Sequence, residues 1–410
     1  MDSDWTEIPT HILELILEKI EPAIDFIRFG AVCREWRCAM KDNLQQRIKT
    51  LHNRYRYFQV PMLLTSTTED DNTWNMYNVM NNKFLETKLV VPYDKRFCGS
   101  SKGWVVTVNK DWTVTLYKPF SMVQYGNNNA DTCVIQLPPL FPMEYEEGVE
   151  PYDPLEDFPN DYDIYIDPEN VYYFHVYKAL ITHDPLANPD ECIVVVIFSD
   201  MNELAFIRLS HDGGPQTWIK IEPKFFSEDI LFYNDLFYAV MGDGSLRSFD
   251  LRCSSVNSTI RELAHAIPWI TNSGKRYLVE SYGHIIMVER FIGFEQVKIK
   301  GRKTKSFKVW RYCFDSNTWI QIESLGQMSF FVGDNSSLSI LASSFTGLQP
   351  NCIYFTHDVD GLYGSSRPPI ISDLGLYNLE NGEFKLHFTI ESDLLKKMNN
   401  RPPVWLVPTL

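Results

Sequence analysis

The sequence predicts an α+β multidomain protein, with a small all-α module at the N-terminus followed by an all-β propeller, for which six is the preferred blade count, five or seven are the alternative counts, and a large β-sandwich array is the competing architecture. Three observations predict it. Helical periodicity is confined to the first fifty of 410 residues. Beyond residue 57 a strand–turn–strand unit recurs at roughly 40–55-residue spacing, the period of four-stranded propeller blades. Aromatic residues make up 14% of the chain, and Tyr, Phe and Trp favour pleated, half-buried surfaces.

The N-terminal pattern comes first. In WTEIPTHILELILEKIE (5–21), a helix is expected over residues 8–20, with Pro9 in a first turn where a missing N–H costs nothing. Ile12, Leu13, Leu15, Ile16, Leu17 and Ile20 cover an arc of roughly 200°, twice the ~100° stripe of an ordinary surface helix. So wide an arc cannot all face the core of one short N-terminal segment, and a helical cap sealing one end of the propeller, one of the readings open here, would show a single stripe. A second helical stretch follows Asp25, where Phe26, Phe29, Val32, Cys33, Trp36 and Met40 share one face of about 120°.

The six hairpins come next. VWRYCFDSNTWIQIESL (309–325), LGLYNLENGEFKLHF (374–388) and LAFIRLSHDGGPQTWIKIE (204–222) are the clearest, each with a turn of Asp, Asn or Gly before a strand led by Trp or Phe. SLRSFDLRCSSVNSTIRELA (245–264) has a longer turn, and 74–90 and 113–140 are weaker copies. An apolar run precedes each hairpin and is expected to be the inner strand of its blade: VPMLLTS, GWVVTVN, VVVIFSD, LFYAVMGDG, HIIMVERF and CIYFTHD. The tail VWLVPTL (404–410) is expected to close the ring beside the first blade, removing an exposed edge.

Two charged stretches interrupt the repeat. Residues 144–170 hold eleven Asp or Glu, no Lys or Arg and four prolines, which predicts a solvated, poorly ordered insertion. KIKGRKTKSFK (298–308) is a compact basic loop between strands. It reads as a wet hairpin tip, with a localisation signal or partner patch as the alternatives.

The net charge of −15 argues against general nucleic-acid binding, and no run approaches the ~20 apolar residues of a membrane span. Acidic Asp2, Asp4 and Glu7 stand where a signal peptide would be basic, so a nuclear or cytoplasmic protein is expected. The eight cysteines form no C-x-x-C pair and read as buried small hydrophobes. No nucleotide, zinc-protease or nucleophile-elbow motif occurs, so no cofactor, metal or catalytic residue is assigned. Asp200, Asp243 and Asp358, at the ends of the apolar runs, are the carboxylates a propeller enzyme would use, and turn chemistry explains them equally well. His183-Asp184 and His357-Asp358 are adjacent strand pairs that point to opposite faces.

The first helices carry a family resemblance. W-x-x-I-P-x-x-I-L-x-x-I-L, then Asp25-Phe26, then V-C-x-x-W at 32–36, resembles an F-box, the helical module that docks on the Skp adaptor of cullin-based (SCF) ubiquitin ligases. Arg96 to Trp104 (RFCGSSKGW), Ile353 to Thr356 (IYFT) and Pro402 to Pro408 (PPVWLVP) resemble the plant F-box group with the "domain of unknown function 295", related to kelch-type proteins. The resemblance implies an F-box at 4–45, a helical linker at 46–56 and a propeller at 57–410 with the acidic insertion 144–170. It also implies that Ile8, Pro9, Ile12, Leu13, Ile16, Leu17, Val32, Cys33 and Trp36 hold the adaptor and, through it, the cullin. The function implied is a non-catalytic substrate receptor, with a non-ligase scaffold as the alternative. Trp112, Tyr233, Trp269 and Tyr363 are the candidate substrate contacts, with packing between blades the competing reading for each.

Overall fold

In a computed structural model, the described residues are 8–19, 29, 32–40, 60–66, 73–80, 83–85, 89–90, 95–118, 134–141, 175–199, 201–211, 216–224, 226–253, 256–267, 273–294, 302–356, 358, 373–385 and 403–406. Helix α1 spans Thr10–Lys19. It starts where the Ile12 and Leu13 amides donate to the Pro9 carbonyl (2.9 and 3.3 Å), a bond that needs nothing from the proline nitrogen. A second helical segment covers residues 34–40.

Six sheets make the six blades expected. The first holds β1 (Met62–Ser66), β2 (Thr73–Asn78), β3 (Lys83–Phe84) and β4 (Leu89–Val90). The second runs β5 (Arg96–Ser101), β6 (Trp104–Val108), β7 (Thr113–Tyr117) and β8 (Val134–Pro139). The third runs β9 (Val176–Ile181), β10 (Ile193–Phe198), β11 (Glu203–Arg208) and β12 (Ile219–Lys220). The fourth is β13 (Ser227–Tyr233), β14 (Leu236–Met241), β15 (Leu246–Phe249) and β16 (Arg261–Ala264). The fifth is β17 (Ser273–Ser281), β18 (His284–Phe294), β19 (Arg302–Cys313) and β20 (Thr318–Ile322). The sixth contains β21 (Met328–Val332), β22 (Ser337–Leu341), β23 (Cys352–Phe355), β24 (Gly375–Asn378) and β25 (Phe384–Lys385). Its order is β22-β21-β23-β24-β25, with β21 and β23 parallel.

The ring closes as the tail predicts. Strand β26 (Val404–Leu406) pairs antiparallel with β1, so the last strand becomes the innermost strand of the first blade. Trp405 is fully buried, and its indole N–H donates to the Val332 carbonyl (3.0 Å). The Asn335 amide brackets the Trp405 backbone, donating to its carbonyl (3.0 Å) and accepting from its N–H (3.3 Å). A side chain thus takes the place of a neighbouring strand. Gly333 lets this seam close, since a Cβ there would lie 2.3 Å from Thr356 Oγ1 and 3.3 Å from the Trp405 ring. Gly99 does the same between the second and third blades, where a Cβ would lie 2.2 Å from the Ala179 carbonyl oxygen.

The apolar runs are not the inner strands expected. They are β1, β6, β10, β14, β18 and β23, each flanked by hydrogen-bonded neighbours on both edges. Such runs arise because a strand inside its sheet, one place out from the axis in five blades and two in the sixth, is also covered on both faces by adjacent blades; β10 is buried at every position. The innermost strands are β26, β5, β9, β13, β17 and β22, and several of them carry charge. The six predicted hairpins are the outer strand pairs. Cys98, Cys192 and Cys352 are buried as expected, whereas Cys38 and Cys253 are exposed.

Trp405→Ala removes the buried anchor of the closing strand and should cost about 3–5 kcal/mol, read as a lower urea midpoint of the full chain. An unchanged midpoint would mean that β26 does not hold the ring.

Candidate functional site

The N-terminal helices divide the wide apolar arc between two environments. Leu13 (1% exposed) and Leu17 (0%) pack with Phe29 and Ala39, and Ile8, Ile16, Trp36 and Met40 lie partly buried against them. The Phe29 and Trp36 rings stand 4.4 Å apart. Ile12 (38%), Leu15 (53%) and Val32 (55%) remain exposed, as is Pro9, and Cys33 is half-buried. Leu13 and Leu17 therefore belong to the internal side of the helix, whereas Leu15, left out of the adaptor-contact set, lies on the open side. Its place in the arc was visible in the sequence; which edge of the arc turned inward was not.

The propeller's central channel is crossed by side chains at the end where the innermost strands begin. Arg96 of β5 meets Asp334, before β22, at 3.3 Å, and Lys275 of β17 meets the same carboxylate at 2.7 Å. Lys178 of β9 pairs with Asp229 of β13, and Ser337 of β22 lies 3.5 Å from the ammonium and 3.4 Å from the carboxylate. Asp229 also accepts from the Leu278 amide (2.8 Å). Side chains from five blades thus meet across the axis.

A second knot joins the fifth and sixth blades. Arg290 is 1% exposed. Its guanidinium donates to Thr304 Oγ1 (2.7 Å), the Tyr277 hydroxyl (3.0 Å), the Thr356 carbonyl (2.9 Å), Asp358 (3.2 Å) and Asp373 (2.9 Å). The Tyr277 hydroxyl also bonds to Asp358. Asp373 accepts further bonds from the Thr304 amide (3.0 Å) and hydroxyl (2.8 Å). Burial alone would depress the Lys275 ammonium, yet Asp334 and Asp358 outweigh it and hold its pKa above the ordinary lysine range. Burial lifts the Asp358 carboxyl above the usual carboxylate range despite Lys275 and Arg290. These mutually partnered charges fill this end of the channel as a structural plug.

Beside the plug, Arg276 is shared between Glu289 (2.9 Å) and Glu228 (3.3 Å). Burial pushes the Glu228 carboxyl up to about 7, against the opposing pull of Arg276.

The other candidates disperse. Asp243 is exposed and accepts from the Ser245 amide (2.8 Å), an ordinary turn bond. Asp184 holds Lys118 (2.6 Å) and the Trp104 indole (3.2 Å), while His183 contacts the Glu191 carbonyl (3.0 Å), so the two do not cooperate. Trp112 lies edge-on to His175 (4.5 Å) between the second and third blades. Tyr233 donates to the Gly283 carbonyl (2.9 Å), linking the fourth blade to the fifth. These two are inter-blade contacts that share no surface. Trp269, Tyr363, Asp200, His357 and the acidic stretch 144–170 lie outside the described residues. Among the described residues, no group of three or more His, Cys, Asp or Glu could hold a metal ion. No helix among them is long and apolar enough to cross a membrane.

The propeller family described as KIB1-4 beta-propeller matches residues 76–378, most of the chain, from β2 of the first blade to β24 of the sixth. The chain belongs to the KIB1-4 beta-propeller family. Its relatives in Arabidopsis thaliana include the F-box protein At2g17036, 23% identical over 98% of this chain and 95% of that protein. The F-box protein SKIP23 is likewise 23% identical, over 98% of this chain and 95% of its own length. Among solved structures, the Cps50 (Swd1) beta-propeller domain of Myceliophteria thermophila superposes with a TM-score of 0.32 and 8% identity, covering 80% of this chain and 85% of that one. The family match carries the propeller, and the relatives carry the F-box name; the finer kelch-type and domain of unknown function 295 labels are part of neither.

Arg290→Met strands Asp358 and Asp373 without their cation and should cost about 3–5 kcal/mol in unfolding free energy. Glu228 makes a pH signature. Between its unfolded value near 4.5 and its folded value of about 7, the folded chain binds more protons than the unfolded chain. Its contribution to stability is complete below that window and falls as pH rises through it, by about 3 kcal/mol at most. Glu228→Gln should flatten this slope in urea midpoints taken across the window; an equal slope in both proteins would assign it to other groups.

Proposed function

We propose that this chain is the substrate-recognition subunit of an SCF-type (Skp–cullin–F-box) ubiquitin ligase, non-catalytic itself, which recruits target proteins for ubiquitination and degradation. The observation that carries the reading is the split helix: Leu13 and Leu17 supply the internal contact of the N-terminal module while Ile12, Leu15 and Val32 stay open. A module this small cannot cover all its apolar side chains from within. Completing the burial of each would supply up to about 1.5–3 kcal/mol, enough for three or four anchors to sustain binding after association costs.

In this reading residues 4–45 form the F-box, 46–56 the linker and 57–410 the substrate-binding propeller. Ile12, Leu15 and Val32 are the central adaptor contacts, flanked by Ile8, Pro9, Ile16, Cys33 and Trp36, and Leu13 and Leu17 support them from behind. The F-box names of the relatives agree with it. So does the crossed channel, which leaves the rims and outer edges of the ring for protein contact. The mechanism is proximity: tethering raises the effective concentration of target lysines near a catalytic centre held by other subunits. Such a receptor works in the nucleus or cytoplasm.

Ile12→Asp combined with Leu15→Asp should cut capture of a Skp-type adaptor at least about tenfold, because two charges would be desolvated at the interface, while the unfolding midpoint stays put. Leu13→Ala should instead loosen the module itself by about 2–5 kcal/mol. Capture that survives the double substitution would remove this face from the interface.

A further inference from the structure

The β18–β19 hairpin outgrows its blade. Pairing of β18 with β17 ends at Phe291, and pairing of β19 with β20 begins at Val309. Residues 292–294 and 302–305 therefore continue as a two-stranded arm, paired from Ile292↔Thr304 to Phe294↔Arg302 beyond a register shift that leaves Lys305 as the extra residue. The arm leaves the propeller at the end where the innermost strands begin, since β18 runs antiparallel to β17.

Its root is rigid. The Thr304 amide and hydroxyl are held by Asp373, and Arg290 ties both to the buried knot. Phe307 is buried with its ring 5.2 Å from both Phe355 and Tyr377 of the sixth blade. A pre-ordered arm loses little conformational entropy on binding.

The outward side is cationic. Lys303 and Lys305 are exposed, and neither has an ion-pair partner among the described residues, in a chain of net charge −15. The Lys305 stem lies across Gly293, where a Cβ would stand 2.8 Å from its Cε, so the missing side chain sets the path of this lysine. Lysines often guard open strand edges against aggregation. At Thr304, however, Asp373 already caps the edge, so that role does not account for them. Lys303 and Lys305 flank the buried Thr304, so both ammonium groups stand on the exposed side of one strand. At the root of the arm Phe291 and Phe307 are buried, and the overall negative charge of the chain repels polyphosphate.

We propose that this arm docks an extended acidic stretch of polypeptide, with Lys303 and Lys305 pairing with alternate carboxylates; that the stretch belongs to a substrate rests on the receptor reading above. The test measures fluorescence anisotropy of a labelled peptide alternating Glu with Ala, titrated with the full chain, beside its Gln counterpart and a single-stranded oligonucleotide. The Glu peptide should bind, and the Gln peptide should bind at least about tenfold more weakly. Raising salt from about 50 to 300 mM should weaken the Glu complex. Lys303→Glu with Lys305→Glu should abolish binding with an unchanged thermal midpoint. No binding, binding indifferent to the double reversal, or tighter binding of the oligonucleotide would overturn the proposal. So would binding that emerges only when the acidic residues of 144–170 are neutralised, since the occupant would then be the chain itself. Adaptor capture is scored on the same proteins: its retention in the double reversal separates a failure here from a failure of the receptor reading.

Discussion

The fold depends on one closure: β26 must sit between β1 and the Asn335 side chain. A propeller with an open first blade would expose the edge of β1 and the apolar faces on either side of it. Closing the ring joins residues near 62 and 405, a contact with a large loop-closure cost, so it requires a large local return. Trp405 supplies it by full burial against Phe331 and by an indole bond to Val332. Every inter-blade contact, including the charged plug, presupposes that geometry.

Inside the closed ring, apolar and charged residues have separate tasks. The strands one place out from the axis fill the space between blades with Val, Ile and Phe. The innermost strands face one another at the axis, where several blades converge and shared ion pairs can cross the gap. Such pairs are weak evidence for stability, because desolvation offsets much of the attraction. Their geometric demands are stricter than those of apolar contacts, which suits a place where the relative rotation of blades must be set. Arg290 extends the same logic outward by anchoring the arm of β18 and β19 to Asp373.

The two surfaces suited to partners therefore have unlike chemistry. The N-terminal helix offers apolar side chains that its own small core leaves open. The arm offers ammonium groups, without ion-pair partners among the described residues, on a rigid ribbon. Apolar burial sustains affinity, whereas charge sets approach and selectivity. A receptor holding a constant adaptor and varying targets would use the two in that division.

Read alone, the sequence determined the helical N-terminus, the six outer hairpins and the closing tail, because each is written in local periodicity and turn residues; it favoured six blades over five or seven, and the six sheets decided the count. The two-sidedness of α1 was legible too, but Leu13 and Leu17 turned inward and Ile12 and Leu15 outward only once Phe29 and Ala39 were in place. The innermost strands escaped notice because Arg96, Lys178, Asp229 and Arg276 break the apolar pattern that marks a strand. Their partners are remote: Arg96 and Asp334 are 238 positions apart, and Asp229 and Ser337 are 108 apart. Short-range pattern reports what a residue buries with its neighbours in sequence. Which charges meet across an axis is decided only when six separate blades share one centre.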